Sequence, residues 1–386
     1  MTGPTVADTA NPSANSPAAP GPAAPGPAAP GPAGGLTSLA TDRRVVVCCG
    51  PGGVGKTTVA ATFALQAARS GRRACVVTVD PARRLADALG VDSLPNTPAP
   101  VDGDWPGELY AVMLDTKGTF DDLVRRYART AEQATSIQAN RLYQNLAGAL
   151  SGTQEYMAME KLNELVESGA FDVVVVDTPP TRNALDLLDA PRRLTQFLEN
   201  RLFRALLLPT RAGLRAVSVA TRALLRTISK VAGAEIVDDA VTFFQAFSGM
   251  EEGFRDRAKA VRALLVDPAT AYVLVTSPRP DAVEEAEFFA GKLTETAIVA
   301  AGLVVNRVHP RFGRDGLSIP APPPGSDLAV IVANLDDLDG MAQRDEAVYR
   351  TLAERVAPAP VRPVPMLGSD VHDLVALGIV ADHLFG

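Results

Sequence analysis

One lysine, two threonines and two strand-ending aspartates are the residues of this chain whose types and spacing suit phosphate chemistry. Gly50-Pro51-Gly52-Gly53-Val54-Gly55-Lys56-Thr57-Thr58 fits the pattern G-x-x-x-x-G-K-[ST]. Its glycines open backbone angles closed to other residues, so the loop's N–H groups can turn inward onto phosphate oxygens. In that setting Lys56 reaches the β- and γ-phosphates of a nucleotide, and the Thr57 hydroxyl holds Mg²⁺. Asp80 and Asp177 each follow an apolar run, at residues 74–79 and 173–176. A carboxylate at the carboxyl end of a parallel strand lies where open α/β sheets place their ligands. Asp177 has the form of a Walker B carboxylate, which helps hold Mg²⁺. A lone aspartate after a strand is commonly a turn former. Two of them downstream of such a loop point to metal–phosphate chemistry instead.

The flanks supply what that chemistry needs. Val45, Val46, Val47, Cys48 and Cys49 read as a buried strand before the loop. A small, helix-tolerant stretch follows Thr57 and ends near Ser70, with Gly71 as its cap. Strand, glycine loop and helix together turn the pattern into a phosphate site, with the positive end of the helix behind the loop. Residues 171–177 carry four consecutive valines, as expected of a strand covered on both faces. Further strands are expected at 109–115, 271–276, 300–307 and 361–366. Helices are expected to open at Thr119 and Asp281, and to cover 337–355 and 371–384. The predicted fold class is α/β: a P-loop NTPase with a mostly parallel central sheet, helices on both faces and an inserted α-helical subdomain.

Composition narrows the setting. The first 41 residues repeat Pro-Ala-Ala-Pro-Gly and cannot bury a core, so they read as an extended tail. The tail has no basic start and no apolar segment of a secretory signal. It suits a linker, or a ligand for a proline-reading domain. Residues 42–386 form the expected ATPase domain. Hydrophobic content of 47% is ample for its core, and the net charge of −7 argues against nucleic-acid binding. Cys48 and Cys49 are adjacent on one strand, and Cys75 stands alone. That usage fits a reduced, cytoplasmic protein without a thiolate metal site. No uncharged apolar run of about eighteen residues occurs, so no membrane-crossing helix is expected.

Taken in order, Gly-x-Gly-Gly-Val-Gly-Lys-Thr-Thr, Asp-Pro-Ala-x-x-Leu-x-Asp-Ala and Asp-Thr-x-Pro-Thr resemble the ArsA family of deviant Walker A ATPases. That family includes the arsenite-pump ATPase and the ATPase that delivers tail-anchored membrane proteins. The resemblance implies ATP hydrolysis with Mg²⁺ and work as a pair of nucleotide sites. It places Asp80 on the switch I aspartate that positions the attacking water, and Asp177 on the switch II aspartate. It also places Thr57 on the Mg²⁺ ligand, Asn306 on the adenine-reading asparagine and Pro365 in the loop over the base. The implied partner is a second copy or a paralogous ATPase. Three departures stand out. Pro51 occupies the slot of the family's signature lysine, Arg83 replaces a histidine, and Arg182-Asn183 replaces Gly-His. Arg83, Arg84 or Arg182 then substitutes for the lysine, or a lysine-bearing paralogue supplies it, or turnover is slow. Arg182 beside phosphate either stabilises transferred charge or pairs with Asp186. The competing class is a non-catalytic nucleotide-binding subunit of a heterodimer. A partition ATPase of the same superclass is a third reading, and the missing cluster cysteines exclude the iron–sulphur branch.

Residues 183–265 read as the helical subdomain inserted after the Asp177 strand. Within it, Arg211, Arg215, Arg222, Arg226 and Lys230 fall within an arc of about 100°, opposite Leu214, Val217, Leu224, Leu225, Ile228 and Val231. This is a basic amphipathic helix: a solvated face on a packed helix, or a face toward anionic lipid or a partner's acidic surface. A membrane-surface or membrane-protein partner, and a peripheral location at the membrane, belong to that second reading. Methionine-rich client binding and an arsenite trithiolate are not supported, with only Met250 in the insertion and three cysteines in the chain.

Overall fold

The computed structural model describes residues 35–80, 83–141, 143–144, 153–179, 249–312 and 322–386, with 196, 242, 243 and 246 singly. Residues 1–34, Arg182, Asn183, Asp186, the basic positions from Arg201 to Lys230 and most of the expected insertion lie outside them.

Eight strands form one sheet: β1 (Val45–Cys49), β2 (Arg73–Thr78), β3 (Ala99–Pro100), β4 (Glu108–Met113), β5 (Val173–Asp177), β6 (Thr270–Thr276), β7 (Ala300–Val308) and β8 (Val361–Pro365). Their order is β3-β4-β2-β5-β1-β6-β7-β8. Every pairing is parallel except β3 with β4. Among the described residues the helices are α1 (Gly35–Asp42), α2 (Lys56–Arg69), α3 (Arg84–Leu89), α4 (Thr116–Tyr127), α5 (Ala131–Ala139), α6 (Thr153–Glu167), α7 (Glu251–Leu265), α8 (Pro280–Glu295), α9 (Asp327–Val356) and α10 (Leu374–Phe385).

The sheet is covered on both faces, and the strands show why. Side chains alternate across a strand. Val45, Val47, Cys49, Val174 and Val176 enter one core, with Leu123 of α4, Met159 of α6, Val261 of α7, Phe289 of α8 and Leu352 of α9. Val46, Cys48, Val173 and Val175 enter the other, with Leu36 of α1, Phe63 of α2, Leu85 of α3 and Leu377 of α10. The four valines of β5 are therefore buried whichever way they point. The central strands β2, β5 and β1 end at one edge of the sheet, where Thr78 and Cys48 are both register partners of Asp177.

A buried arginine fixes the elements beside the insertion. Arg257 of α7 pairs with Glu160 and Glu167 of α6. Helix α6 leads into β5, and α7, the last part of the stretch 183–265, leads into β6. Breaking such a pair from one side leaves an uncompensated buried charge.

Several boundaries differ from expectation. The last residues assigned to the tail form α1. Leu36 and Leu39 are fully buried, and Gly302 makes room, since a Cβ there would lie 2.4 Å from Leu36 Cδ2. Helix α4 opens at Thr116, after Asp115, and Thr119 is buried within it. Helix α8 opens at Pro280, where fixed φ suits a first turn. Helix α9 opens at Asp327, ten residues early, because Ser326 Oγ accepts a hydrogen bond from the Ala329 N–H at 3.2 Å. Helix α2 ends at Arg69, close to expectation, with Ser70 rather than Gly71 as the capping residue and Gly71 following at φ 85°.

The docking of α1 gives a direct test. Leu39→Ala should cost about 2–4 kcal/mol, the range for truncating a buried leucine. Chemical denaturation would show a lower midpoint, and an unchanged midpoint would mean that α1 adds nothing to the core.

Candidate functional site

The glycine loop joins β1 to α2 at the carboxyl edge of the sheet. Two positions admit only glycine. A Cβ on Gly50, at φ 142°, would lie 2.1 Å from the Val275 carbonyl oxygen of β6. A Cβ on Gly55, at φ 95°, would lie 2.3 Å from Asn306 Nδ2 of β7. The loop is therefore pressed against the ends of β6 and β7, and its path is set by them.

Lys56 is the first residue of α2 and is 5% exposed. Its Nζ donates to the Pro51 carbonyl at 2.7 Å, closing the loop on itself. Burial lowers its pKa, while Asp177 acts the other way. Asp177 is buried at the end of β5. Its Oδ2 accepts from Thr57 Oγ1 at 2.7 Å and from Thr78 Oγ1 at 2.8 Å. Its Oδ1 is buried, with no hydrogen-bond partner among the described residues. Burial pushes the Asp177 carboxyl up to about 6, against the two hydroxyls and Lys56. Thr78 also accepts from the Asp80 N–H at 3.2 Å, so one hydroxyl ties the two aspartate segments together. The Asp80 side chain pairs with Arg84 at 2.9 Å and is 14% exposed.

These groups border a cavity of about 870 Å³. Gly53, Gly55, Lys56, Thr57, Thr58 and Asp80 line one part of it. Asn306, Arg307 and residues 364–371 line another, Pro365 among them. Gly50, Gly52 and Val54 are not on its wall. Gly50 and Val54 are buried and Gly52 is exposed. Asp177 is not on the wall either, while its neighbour Thr178 is. Asn306 Nδ2 donates to the Val54 carbonyl at 2.8 Å, so this amide holds the loop. Arg83 does not line the cavity.

Two site residues were not legible as such. Thr78 carries the only signal that could have found it, a hydroxyl ending a buried strand one row from Asp177. Arg307 depends on a bulge in β7 that no local pattern announces. Burial raises all three cysteine thiols, Cys75 to about 12, so none is a nucleophile near neutral pH.

No helix among the described residues is long and apolar enough to cross a membrane. Similarity to known proteins agrees with the site. An uncharacterized protein of Streptomyces coelicolor is 33% identical over 268 residues, 69% of this chain and 63% of its own length. ATPase ARSA2 of Chlamydomonas reinhardtii is 29% identical over 264 residues, 67% of this chain and 66% of its own length. ATPase get3 of Aspergillus terreus is 32% identical over 150 residues, 39% of this chain and 43% of its own length. The chain thus spans less than two thirds of each of these relatives. A family model described as anion-transporting ATPase matches residues 43–316, which take in the glycine loop, both aspartates and Asn306. The chain belongs to this ArsA family of ATPases.

Proposed function

We propose that the chain binds Mg·ATP in this cavity and hydrolyses it to ADP and phosphate. The observation that carries the reading is the Asp177 carboxylate: buried, bonded through one oxygen to two hydroxyls, with its other oxygen unpartnered among the described residues. A buried anionic oxygen without a donor is costly, and a cation is the partner that offsets it. Thr57, Asp177 and Asp80 are the residues to hold Mg²⁺, a hard ion that takes oxygen ligands. Bound there, the ion offsets charge on the β- and γ-phosphate oxygens.

The chain's own groups do the rest by positioning and electrostatics. Backbone N–H groups from Gly53 to Thr58 cradle the phosphates. Lys56 exchanges the Pro51 carbonyl for phosphate oxygens. Asp80 leaves Arg84 and orients the attacking water for in-line transfer. The adenine lies toward Asn306 and Pro365. The segments after Asp80 and Asp177 pass the phosphate state onward, the second running through Thr178 and Pro179 into the insertion. The protein works as a pair of nucleotide sites, with a second copy or a paralogue. The resemblance to ATPases of membrane-protein delivery and anion transport makes either class of work the candidate task, inside the cell and at the membrane surface in the second reading of the basic face.

Pro51 favours one further reading, a regulatory subunit that binds nucleotide and hardly turns it over. ATPase activity measured alone, then with a paralogue bearing lysine in that slot, separates the two.

Lys56→Ala should lower ATPase activity about a hundredfold or more, with the fold intact by circular dichroism. Full activity in that variant would refute the site. Asp177 gives a second test, with a worked sign. Its carboxyl sits near 6 in the folded protein against 3.8 for the free group. The folded state therefore binds more protons between those values, and stability falls as pH rises through the window. The loss is roughly 3 kcal/mol, and it is complete above the folded value. Asp177→Asn should abolish Mg²⁺-dependent hydrolysis yet raise nucleotide-free stability near neutral pH, and flatten the fall between pH 4 and 6. A variant less stable than its parent at neutral pH would contradict the assignment.

A further inference from the structure

Consecutive side chains of a strand point to opposite faces, yet Asn306 and Arg307 both reach the glycine loop. Asn306 Nδ2 donates to the Val54 carbonyl, and Arg307 Nη1 donates to the neighbouring Gly53 carbonyl at 3.1 Å. The backbone provides the reason. Arg307 has φ 63°, in the left-handed region that favours glycine. Its flanking residues pair with β8 as Asn306 with Val364 and Val308 with Pro365, and Arg307 has no register partner. It is the extra residue of a bulge, the device that re-aims a side chain. Asn306 Oδ1 accepts the Arg307 N–H at 3.0 Å and holds the bulge in place. Strain of this kind persists where surrounding structure imposes it, and it gathers at ligand sites.

The cavity's charges say what the bulge presents. Its wall carries the cations Lys56, Arg84 and Arg307. Lys56 is buried, and Arg84 is paired with Asp80. Arg307 is exposed and makes no ion pair among the described residues. Its guanidinium has five donors in a rigid fork, and the Gly53 carbonyl takes one of them. Such a fork matches phosphate oxygens.

We infer that Arg307 is a phosphate-binding residue, contributed in cis by the β7 bulge, that sets affinity for nucleoside di- and triphosphates. This inference rests on the nucleotide reading above. Within the glycine loop Lys56 is the sole cation, because the slot after Gly50 is proline. Arg307 brings a second positive group to that loop from the same chain.

The test measures Mg·ATP and Mg·ADP binding by calorimetry on the full chain, at low and high salt, beside thermal unfolding of the nucleotide-free protein. Arg307→Gln should lose about tenfold in affinity for both nucleotides, with a shallower salt dependence. Arg307→Lys, which keeps the charge and loses the fork, should fall between. Arg307→Gly relieves the backbone at positive φ, so it should unfold at or above the parent's temperature and still bind weakly. A residue that only braced the loop would lower unfolding temperature and leave the salt dependence unchanged, and that pair of results would overturn the inference. So would parent-like affinity in Arg307→Gln while the parent binds well. Absence of nucleotide binding by the parent itself would overturn the nucleotide reading and this inference together.

Discussion

A carboxylate held nearly out of water is the constraint on which the rest of this domain depends. Ionising Asp177 there is opposed by burial, and several elements have to agree for the cost to be bearable. Strand β5 places the residue between β1 and β2, with Thr78 and Cys48 as its register partners. Thr78 supplies one hydroxyl from the strand, and Thr57 supplies another from the first turn of α2. Both hydroxyls meet the same oxygen. Three elements are thus fixed to within hydrogen-bond distance of one atom, and the second oxygen has no partner among the described residues. A buried acceptor left without a donor costs about 1–3 kcal/mol, so this oxygen is the least settled atom of the cluster among the described residues.

The glycine loop obeys a second constraint of the same kind. It cannot relax sideways, because Gly50 touches the β6 backbone and Gly55 touches Asn306. It cannot drift upward, because Lys56, Asn306 and Arg307 each hold one of its carbonyls, on Pro51, Val54 and Gly53. Loop carbonyls held from outside leave loop N–H groups turned the other way, which is the geometry an anion needs. Any phosphate entering the loop competes with the Pro51 carbonyl for Lys56, as water or metal near Asp80 competes with Arg84. The chemistry-bearing charges are held by internal partners of modest strength, so they can be exchanged without reorganising the sheet.

What could be read from the chain follows from how local each signal is. Strands β1, β2 and β5 were legible because an unbroken apolar run has one structural meaning inside a doubly covered sheet. The turn from β1 into α2 was legible because its glycines and the strand and helix on either side are local features. Thr78 was not, since a threonine ending a strand is ordinary until Asp177 is known to be its neighbour in the sheet. Arg307 was not, since a bulge records how two strands fit and leaves no mark in a sequence reading Val305-Asn306-Arg307-Val308. Helix α1 was masked by composition: an Ala/Pro/Gly bias over many residues outweighed a leucine pair spaced for one helical face. Helix α9 began early because one serine after a proline-rich loop caps a turn, and capping is a contact between two particular atoms.

The arrangement also explains why the two aspartates are not equivalent, although both were expected to end strands: Asp177 is the last residue of β5, whereas β2 stops at Thr78, two residues before Asp80. Asp177 is rooted in the sheet on both sides and bonded to two threonines, so it can move little. Asp80 lies beyond the end of β2, next to α3, and its charge is balanced by Arg84 four residues on. An exposed pair of that type is worth a few tenths to about 1 kcal/mol, small beside the interaction of a carboxylate with a metal-bound triphosphate. The two carboxylates therefore differ in how firmly their surroundings hold them. The hydroxyl of Thr78, bonded to the first and accepting from the backbone of the second, ties the two segments together.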